Sequence, residues 1–401
     1  MERLSTLERD ATERAAAAPL LAWTEAWAAV NSGTGNLSGL AAVAAMLADA
    51  FAVLPGELRL LDPAPAERVD AAGVVHAQEH GRNLHLRVRA DAPVQLLLTG
   101  HMDTVYPADH PFQAVRWREP GVLNGPGVAD MKGGLAIMLG ALRAVEDSPA
   151  ATHVGYEVVI NSDEEVGSPG SAPLVAAAAR GKRAALTFEP AADPDGTLAG
   201  ARPGSGNFSL AVEGRSAHAG RDPENGRNAL LAAADLALRL ERARAPGLSV
   251  NPARIDGGGP SNVVPDCAVL RVNLRPRTPH DQTRARAALD AAVAAVAAER
   301  EVRVAVHGGF ARPPKPLDAA AEALFALVER AGADLGRPLV HRATGGVCDG
   351  NNIAACGVPV VDTMGARGGA IHSEDEYLIV DSLPERAALS ALAILRLAEA
   401  P

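Results

Sequence analysis

Val94-Gln-Leu-Leu-Leu-Thr-Gly-His-Met-Asp-Thr-Val-Tyr-Pro107 is the stretch whose reading decides the fold. So short an apolar run leaves no room for a helix and reads as a buried strand. It ends at Thr99-Gly100 and delivers His101 and Asp103 just past its carboxyl end, where open α/β sheets place their ligand crevices. In extended backbone, residues two apart face the same way, so imidazole and carboxylate point into one space. Alone the pair carries little weight, because a histidine near a strand end is commonly structural. The weight comes from acids that recur after the elements that follow.

Downstream, Asn124-Gly-Pro-Gly-Val-Ala-Asp-Met-Lys-Gly-Gly134 is a turn-rich loop that delivers Asp130 to the start of a helix. That helix is expected over about Lys132 to Val145, with Leu135, Met138, Leu139 and Leu142 at helical spacing. An N-cap role would by itself account for Asp130. Val154 to Ile160 reads as a second buried strand and runs into Asn161-Ser-Asp-Glu-Glu165. Three consecutive acids there are costly unless something positive neutralises them or the turn is solvated, as Gly167-Ser-Pro-Gly170 would permit. Ala184 to Phe188 is a third such strand, ending at Glu189-Pro190. Upstream, Asn36 can cap a helix running toward Phe51, and Glu57–Leu61 and Leu84–Arg89 alternate as half-wet strands.

After Glu189 the pattern changes. Phe208, Leu210 and Val212 alternate with polar or small residues, and a helix follows with Leu230, Ala234, Ala237 and Leu238 on one stripe. A weak strand near Val250–Ile255 precedes a strong one alternating at Ala268, Leu270, Val272 and Leu274. Thr278 caps the next helix, with Pro279 at its first position, and Val302, Val304 and Val306 form a last strand. The order β-α-β-β-α-β is the split unit of a ferredoxin-like domain. It spans 204–311, with Pro313-Pro314 at its exit and Phe208–Glu213 expected as an exposed edge. The α/β pattern then resumes with a helix over Leu317–Ala331, another opened by Thr344–Asn352, and a strand over Val358–Met364. A flexible loop at Gly365–Gly369 leads to His372, and a helix over Leu383–Leu397 closes the chain. The fold class is therefore α/β, with a mixed, mostly parallel sheet in a domain of 1–203 and 312–401 that carries 204–311 as an insertion.

A chain of 401 residues exceeds the usual size of one core, which agrees with two domains. The net charge of −10 argues against nucleic acid or an anionic membrane as partner. No apolar run approaches membrane-spanning length, and Met1–Arg14 lacks the apolar core of a signal peptide. Cys267, Cys348 and Cys356 are too few for a disulfide framework and read as small buried residues in a reducing compartment, so a cytoplasmic protein is expected. No G-x-G-x-x-G follows the first strand, which excludes a dinucleotide-dependent dehydrogenase.

His101, His372 and the five acids Asp103, Asp130, Glu164, Glu165 and Glu189 fall at or near strand ends. Such acids cannot all stay ionised in one crevice without cations. Two divalent ions would set four positive charges against five carboxylates. Histidine and carboxylate without thiolate suit zinc, and also cobalt or manganese.

The stretches G-H-M-D-T-V-Y-P, G-V-A-D-M-K-G-G, S-D-E-E-V-G-S, F-E-P and A-I-H-S-E resemble the co-catalytic zinc carboxypeptidase and aminoacylase family, over nearly the whole chain. That family includes glutamate carboxypeptidases, acetylornithine and succinyl-diaminopimelate deacylases, and dipeptidases. The resemblance implies two Zn2+ ions (or Co2+ or Mn2+) bridged by Asp130, one also held by His101 and Glu189, the other by Glu165 and His372. It implies Glu164 as general base, Asp103 as the group that orients His101, and a cis peptide at Asp130–Met131. It further implies His218 as oxyanion stabiliser, Asn262 and Arg275 as holders of the substrate's free carboxylate, and Gly365 beside the substrate backbone. The inserted domain would serve as lid and dimerisation domain, with His218 reaching the partner's site in a homodimer.

The implied function is hydrolysis of an amide next to a free carboxylate in a small N-acyl amino acid or short peptide. Phe188-Glu189-Pro190 and Gly345-Gly-Val-Cys-Asp-Gly-Asn351 resemble the glutamate carboxypeptidase branch. Some members of that branch bind the glutamate side chain with a lysine shortly after Glu-Pro. Here the stretch is Ala191-Ala-Asp-Pro-Asp-Gly-Thr197, without lysine; Arg202 is either its substitute or an exposed salt-bridge partner. The alternatives are an N-acyl-amino-acid deacylase on the same site and a catalytically silent ligand-binding paralogue. The intact Glu164, all five ligand candidates and His218 speak against silence.

Overall fold

Along the strand Val94–His101, Leu96 and Leu98 face one side of a sheet and Leu97 the other, and all three are buried. Tyr156, Val158 and Ile160 against Val159 in Val154–Asn161, and Ala184 and Leu186 against Ala185 in Ala184–Thr187, repeat the arrangement. Both faces are covered, so these strands are continuously apolar rather than alternating. Each leucine so buried contributes about 1.5–3 kcal/mol relative to exposure. The helices Gly133–Glu146 and Ser382–Glu399 pack on one face, and Ala172–Ala179 and Asp349–Ala355 on the other.

The computed structural model describes residues 4–399; Met1–Arg3 of the charged N-terminal stretch lie outside the described residues. The central sheet has six strands, in spatial order Glu57–Leu61, Asn83–Val88, Val154–Asn161, Val94–His101, Ala184–Thr187 and Val360–Val361. The first two pairings are antiparallel and the remaining three parallel. No helix of the described residues is long and apolar enough to cross a membrane.

A second sheet of four antiparallel strands orders Leu248–Gly257, Cys267–Pro276, Ser205–Glu213 and Arg303–Arg312. The helices Ala229–Arg242 and Pro279–Arg300 cover one face of it, around a hydrophobic cluster of its own. Phe208–Glu213 is therefore not an edge. Its strand pairs on both sides, and the free edges are Leu248–Gly257 and Arg303–Arg312. A sheet covered on one face alternates at edge and centre alike, so alternation does not reveal strand order. The expected stripe on Ala229–Arg242 is also displaced. Ala229, Ala232, Ala233, Leu236 and Leu240 are buried, whereas Leu238 and Leu231 stand 60% and 54% exposed.

Three further expectations change. The strand near Val250 extends over ten residues. Gly365–Gly369 is largely buried and pinned rather than flexible: Gly368–Gly369 pairs with Tyr377–Ile379, and the Gly365 N–H donates to the Glu189 carbonyl at 2.8 Å. Only Cys348 is buried; Cys267 and Cys356 are half-buried, and all three are free.

Candidate metal centre

Three parallel strands end at one crevice. Val94–His101 delivers His101 and Asp103; Val154–Asn161 leads into the single turn Glu164–Val166; Ala184–Thr187 leads to Glu189. Asp130 enters from an irregular turn, Val128–Lys132, ahead of the helix Gly133–Glu146, and caps nothing; the Asp130–Met131 peptide is cis. His372 reaches in from the loop after Gly368–Gly369, with φ of 63°.

The two oxygens of Asp130 face different partners. Oδ1 lies 3.1 Å from His101 Nε2, which is 3.8 Å from Glu189 Oε2. Oδ2 lies 3.3 Å from His372 Nε2, which is 3.2 Å from Glu165 Oε2. Two ligands each 2.0–2.1 Å from a tetrahedral zinc are about 3.3 Å apart. These separations are close to that spacing, and Asp130 is common to both sets, as residues that would hold two ions require. The ligand atoms of His101, Asp130 and Glu165, and of His101, Glu164 and Glu189, fall within 4.8 Å of one another. The residues present fit a two-metal group.

Positioning groups surround this set. The Asp103 carboxylate lies 3.4 Å from His101 Nδ1, so Nε2 faces inward. The same carboxylate accepts the backbone N–H of Glu164 and of Glu165, each at 3.2 Å, and the Thr34 hydroxyl at 2.7 Å. One oxygen of Glu164 accepts from Arg312 at 2.8 Å, and Arg312 also pairs with Asp349. Glu376 accepts the N–H groups of Gly127, Ala129 and Asp130 at 3.0–3.1 Å and the Tyr106 hydroxyl at 3.0 Å. The sequence does not point to Arg312, Glu376 or Tyr106, because the contacts that bring them to the site, Arg312 to Glu164 and Tyr106 to Glu376, span 148 and 270 residues.

The electrostatics are those of a crowded anionic site. Burial raises Glu164 well above the usual carboxylate range, opposed by Arg312. Burial and neighbouring Asp130 push Glu165 up to about 7. Burial would lower His101, but Asp103, Asp130 and Glu189 raise it well above its ordinary value. Hydrogen bonding to Asp130 and Glu165 raises His372 to about 10.

Around these side chains is a pocket of about 330 Å³, lined by Glu164, Glu165, Glu189, His372, Arg202 and Thr344 among others. Arg202 is no exposed salt-bridge partner: it is buried, and it donates to both oxygens of Asp362 at 2.8 and 3.0 Å. Gly365 lies against the backbone of Phe188 and Glu189, where a Cβ would sit 2.3 Å from the Phe188 oxygen. His218 and Asn262 come together elsewhere, on the four-stranded unit. His218 bridges to Val263, the Ala219 N–H donates to the Asn262 carbonyl, and both residues are exposed and line none of this pocket. Arg275, near the far end of the strand Cys267–Pro276, donates from its guanidinium at 3.1 Å to the carbonyl of Gly345 on the pocket rim.

Residues 97–396 match the model of peptidase family M20/M25/M40. The chain belongs to that family. It is 32% identical over 383 residues to carboxypeptidase G2 of Pseudomonas sp. (strain RS-16), covering 92% of this chain and 86% of the relative. It is 33% identical over 337 residues to a succinyl-diaminopimelate desuccinylase of Methylobacterium sp. (strain 4-46), covering 77% and 81%. A dinuclear metal binding M20 peptidase of Bacillus subtilis superposes with a TM-score of 0.65 at 15% identity, over 95% of this chain and 98% of that one. This M20 member is a metal-dependent hydrolase of α/β fold.

Proposed function

We propose that the enzyme is a dinuclear-metal carboxypeptidase that cleaves the amide next to a free carboxylate. The observation that carries the reading is Asp130, whose two oxygens face two separate His–Glu pairs. Asp130 with His101 and Glu189 would hold one ion, zinc by donor type, and with Glu165 and His372 the other. Such ions supply a water acidic near neutral pH and a polarised carbonyl.

Glu164 accepts the proton of the attacking water and returns it to the leaving amine. Burial suits this role by raising its affinity for the proton, while Arg312 fixes one of its oxygens in place. Asp103 keeps the His101 ring turned inward and secures the backbone that presents Glu164 and Glu165. Arg275, at the rim, holds the substrate's carboxylate, a task suited to a planar guanidinium. Asn262, which stands beside His218 away from this pocket, would assist from a partner chain as His218 does, and Gly365 lets the substrate backbone approach.

Residues 204–311 act as lid and dimerisation domain. Leu231 and Leu238 form an exposed apolar face beside the free edge Leu248–Gly257, which carries exposed Ile255. A second copy covering this face would bury the patch and pair the edge. The exposed His218 then completes the partner's site as oxyanion stabiliser. Free thiols at all three cysteines support a reducing, cytoplasmic setting.

The deacylase reading differs in which side of the amide is small, and likeness to a desuccinylase favours keeping it. A panel of dipeptides and N-acyl amino acids, each as free acid and as amide, tests the proposal. Chelator-sensitive hydrolysis of the free acids alone is expected. Equal rates on the amides would refute the role of Arg275 and the substrate class.

A further inference from the structure

Between Leu61 and Asn83 the chain leaves the central sheet as a hairpin, with Ala66–Val69 paired to Val75–Gln78. Asp70 builds its turn: one carboxylate oxygen accepts the N–H groups of Ala72 and Val74, each at 2.9 Å, and the Asp70 N–H donates to the Val74 carbonyl at 3.0 Å. His76 Nε2 lies 2.7 Å from the other oxygen. Gly73, at φ of 80°, supplies the reversal that a side chain would resist. Two strands alone are marginal in water, so what the hairpin touches at each end matters.

Its tip lies on the four-stranded sheet. Along Cys267–Pro276, Ala268, Leu270, Val272 and Leu274 pack under the helices, so Cys267, Val269, Arg271, Asn273 and Arg275 share the helix-free face. Val269 is nevertheless fully buried, because Gly73 covers it: a Cβ there would sit 3.7 Å from Val269 and 3.2 Å from the Ala211 Cβ. Arg271 Nη2 donates to the carbonyls of Val69 and Asp70 at 2.9 and 3.2 Å. Its other nitrogens donate to Ser209 at 3.0 Å and to Asp256 at 3.3 Å, so its own sheet aims the guanidinium at the hairpin. The Cys267 thiol donates to the Ala72 carbonyl at 3.1 Å.

The base of the hairpin lies on the turn that carries Glu164 and Glu165. The Ala64 N–H donates to the Gly170 carbonyl at 2.8 Å, and the Ser162 hydroxyl donates to the Gly81 carbonyl at 2.7 Å. The Ser162 N–H donates to the Asn83 side chain at 3.3 Å, and buried His80 faces buried Asp163 at 4.0 Å. One hairpin thus touches both the turn that presents Glu164 and the strand that carries Arg275.

We infer that the hairpin segment 62–82 sets the spacing between Glu164 and Arg275, with Arg271 as the positioning residue that fixes its tip. This rests on the roles given above to Glu164 and Arg275. Those two residues stand on units that the chain joins only near Gly204 and Arg312. A substrate held by one and attacked through the other needs them in register, and a misplacement of about 1 Å can cost about 10²-fold in rate. The strut holds that register from a third point, without touching substrate.

R271A removes the bonds at the tip, while Asp256 keeps Arg254 as its partner. In the metal-loaded protein, amide hydrogen exchange should then quicken at two separate places, the tip 69–74 and the turn 162–170. The helix Gly133–Glu146 should be unchanged. For the free acid that the wild type hydrolyses fastest, kcat/KM should fall about tenfold with both ions still bound. The loss should divide between KM, through Arg275, and kcat, through Glu164. R271K keeps a donor and should lose less. Should R271A misfold, A211W lifts the tip by bulk alone and should give the same exchange pattern and the same loss. Faster exchange confined to 69–74, or unchanged kcat/KM despite a loosened tip, would overturn the inference and leave the carboxypeptidase reading standing. A wild type that hydrolyses no free acid would sink that reading, while exchange at 162–170 would still decide whether the hairpin links the two units.

Discussion

At the ends of the central sheet the acids and His101 are largely buried and matched, whereas on the four-stranded unit the functional candidates stand in solvent. His101, Asp130, Glu165 and Glu189 are held by strand ends, by Asp103 and by the Glu376 cradle within a few ångströms of one another. His218 and Asn262 are exposed, and among the described residues neither they nor Arg275 and Arg277 pair with a carboxylate. The first arrangement suits a pair of cations; the second is open to solvent. On the function proposed above, the central-sheet unit would hold the metals and the base while the four-stranded unit would supply Arg275 and His218, and mutation should separate these contributions.

The largest effect is expected at Glu164. Glu164→Gln should lower kcat by about 10²–10⁴-fold while both ions stay bound. Glu165→Gln should instead weaken one metal site, since it removes a ligand. Equal metal loss in the two variants, measured by elemental analysis, would mean the adjacent pair is assigned the wrong way round.

Next is the division of labour between chains. Glu164→Ala and His218→Ala should each be inactive alone. Co-refolded in equal amounts, random pairing leaves one complete site in each heterodimer, so about a quarter of wild-type activity should return. Heterodimers that form and stay inactive would place His218 outside the partner's site, and a monomeric, fully active wild type would exclude the shared site outright.

A smaller effect concerns the metal-free protein. Glu165 is raised to about 7 from 4.5 and His372 to about 10 from 6.5, so each binds its proton more tightly folded than unfolded. Stability from such groups is full below the unfolded value and is lost as pH rises, between 4.5 and 7 for Glu165 and between 6.5 and 10 for His372. Tm of chelated protein should therefore fall from about pH 6 to about pH 9 more steeply than that of loaded protein. Parallel curves would show that ions do not relieve these groups.

The same contrast explains what could be read from the sequence. Strands buried on both faces announce themselves as apolar runs, and acids directly after them, such as Glu164, Glu165 and Glu189, were visible for that reason. Glu376 was not. It closes the run His372-Ser-Glu-Asp-Glu376, and nothing in that pattern says which acid turns inward to meet Gly127, Ala129 and Asp130. Arg312 was hidden likewise: it ends a half-exposed strand, and only the return of the chain brings it to Glu164. The apolar residues of Ala229–Arg242 lie on two faces, and periodicity alone did not say which packs inward and which stays exposed.

The central claim is that two ions share Asp130. Chelated protein titrated with zinc, with hydrolysis and bound metal followed together, tests it directly. Activity should become complete as the second equivalent per chain binds, and Asp130→Ala should abolish both binding steps. Full activity at one equivalent or none, or retention of two tightly bound ions by Asp130→Ala, would contradict it.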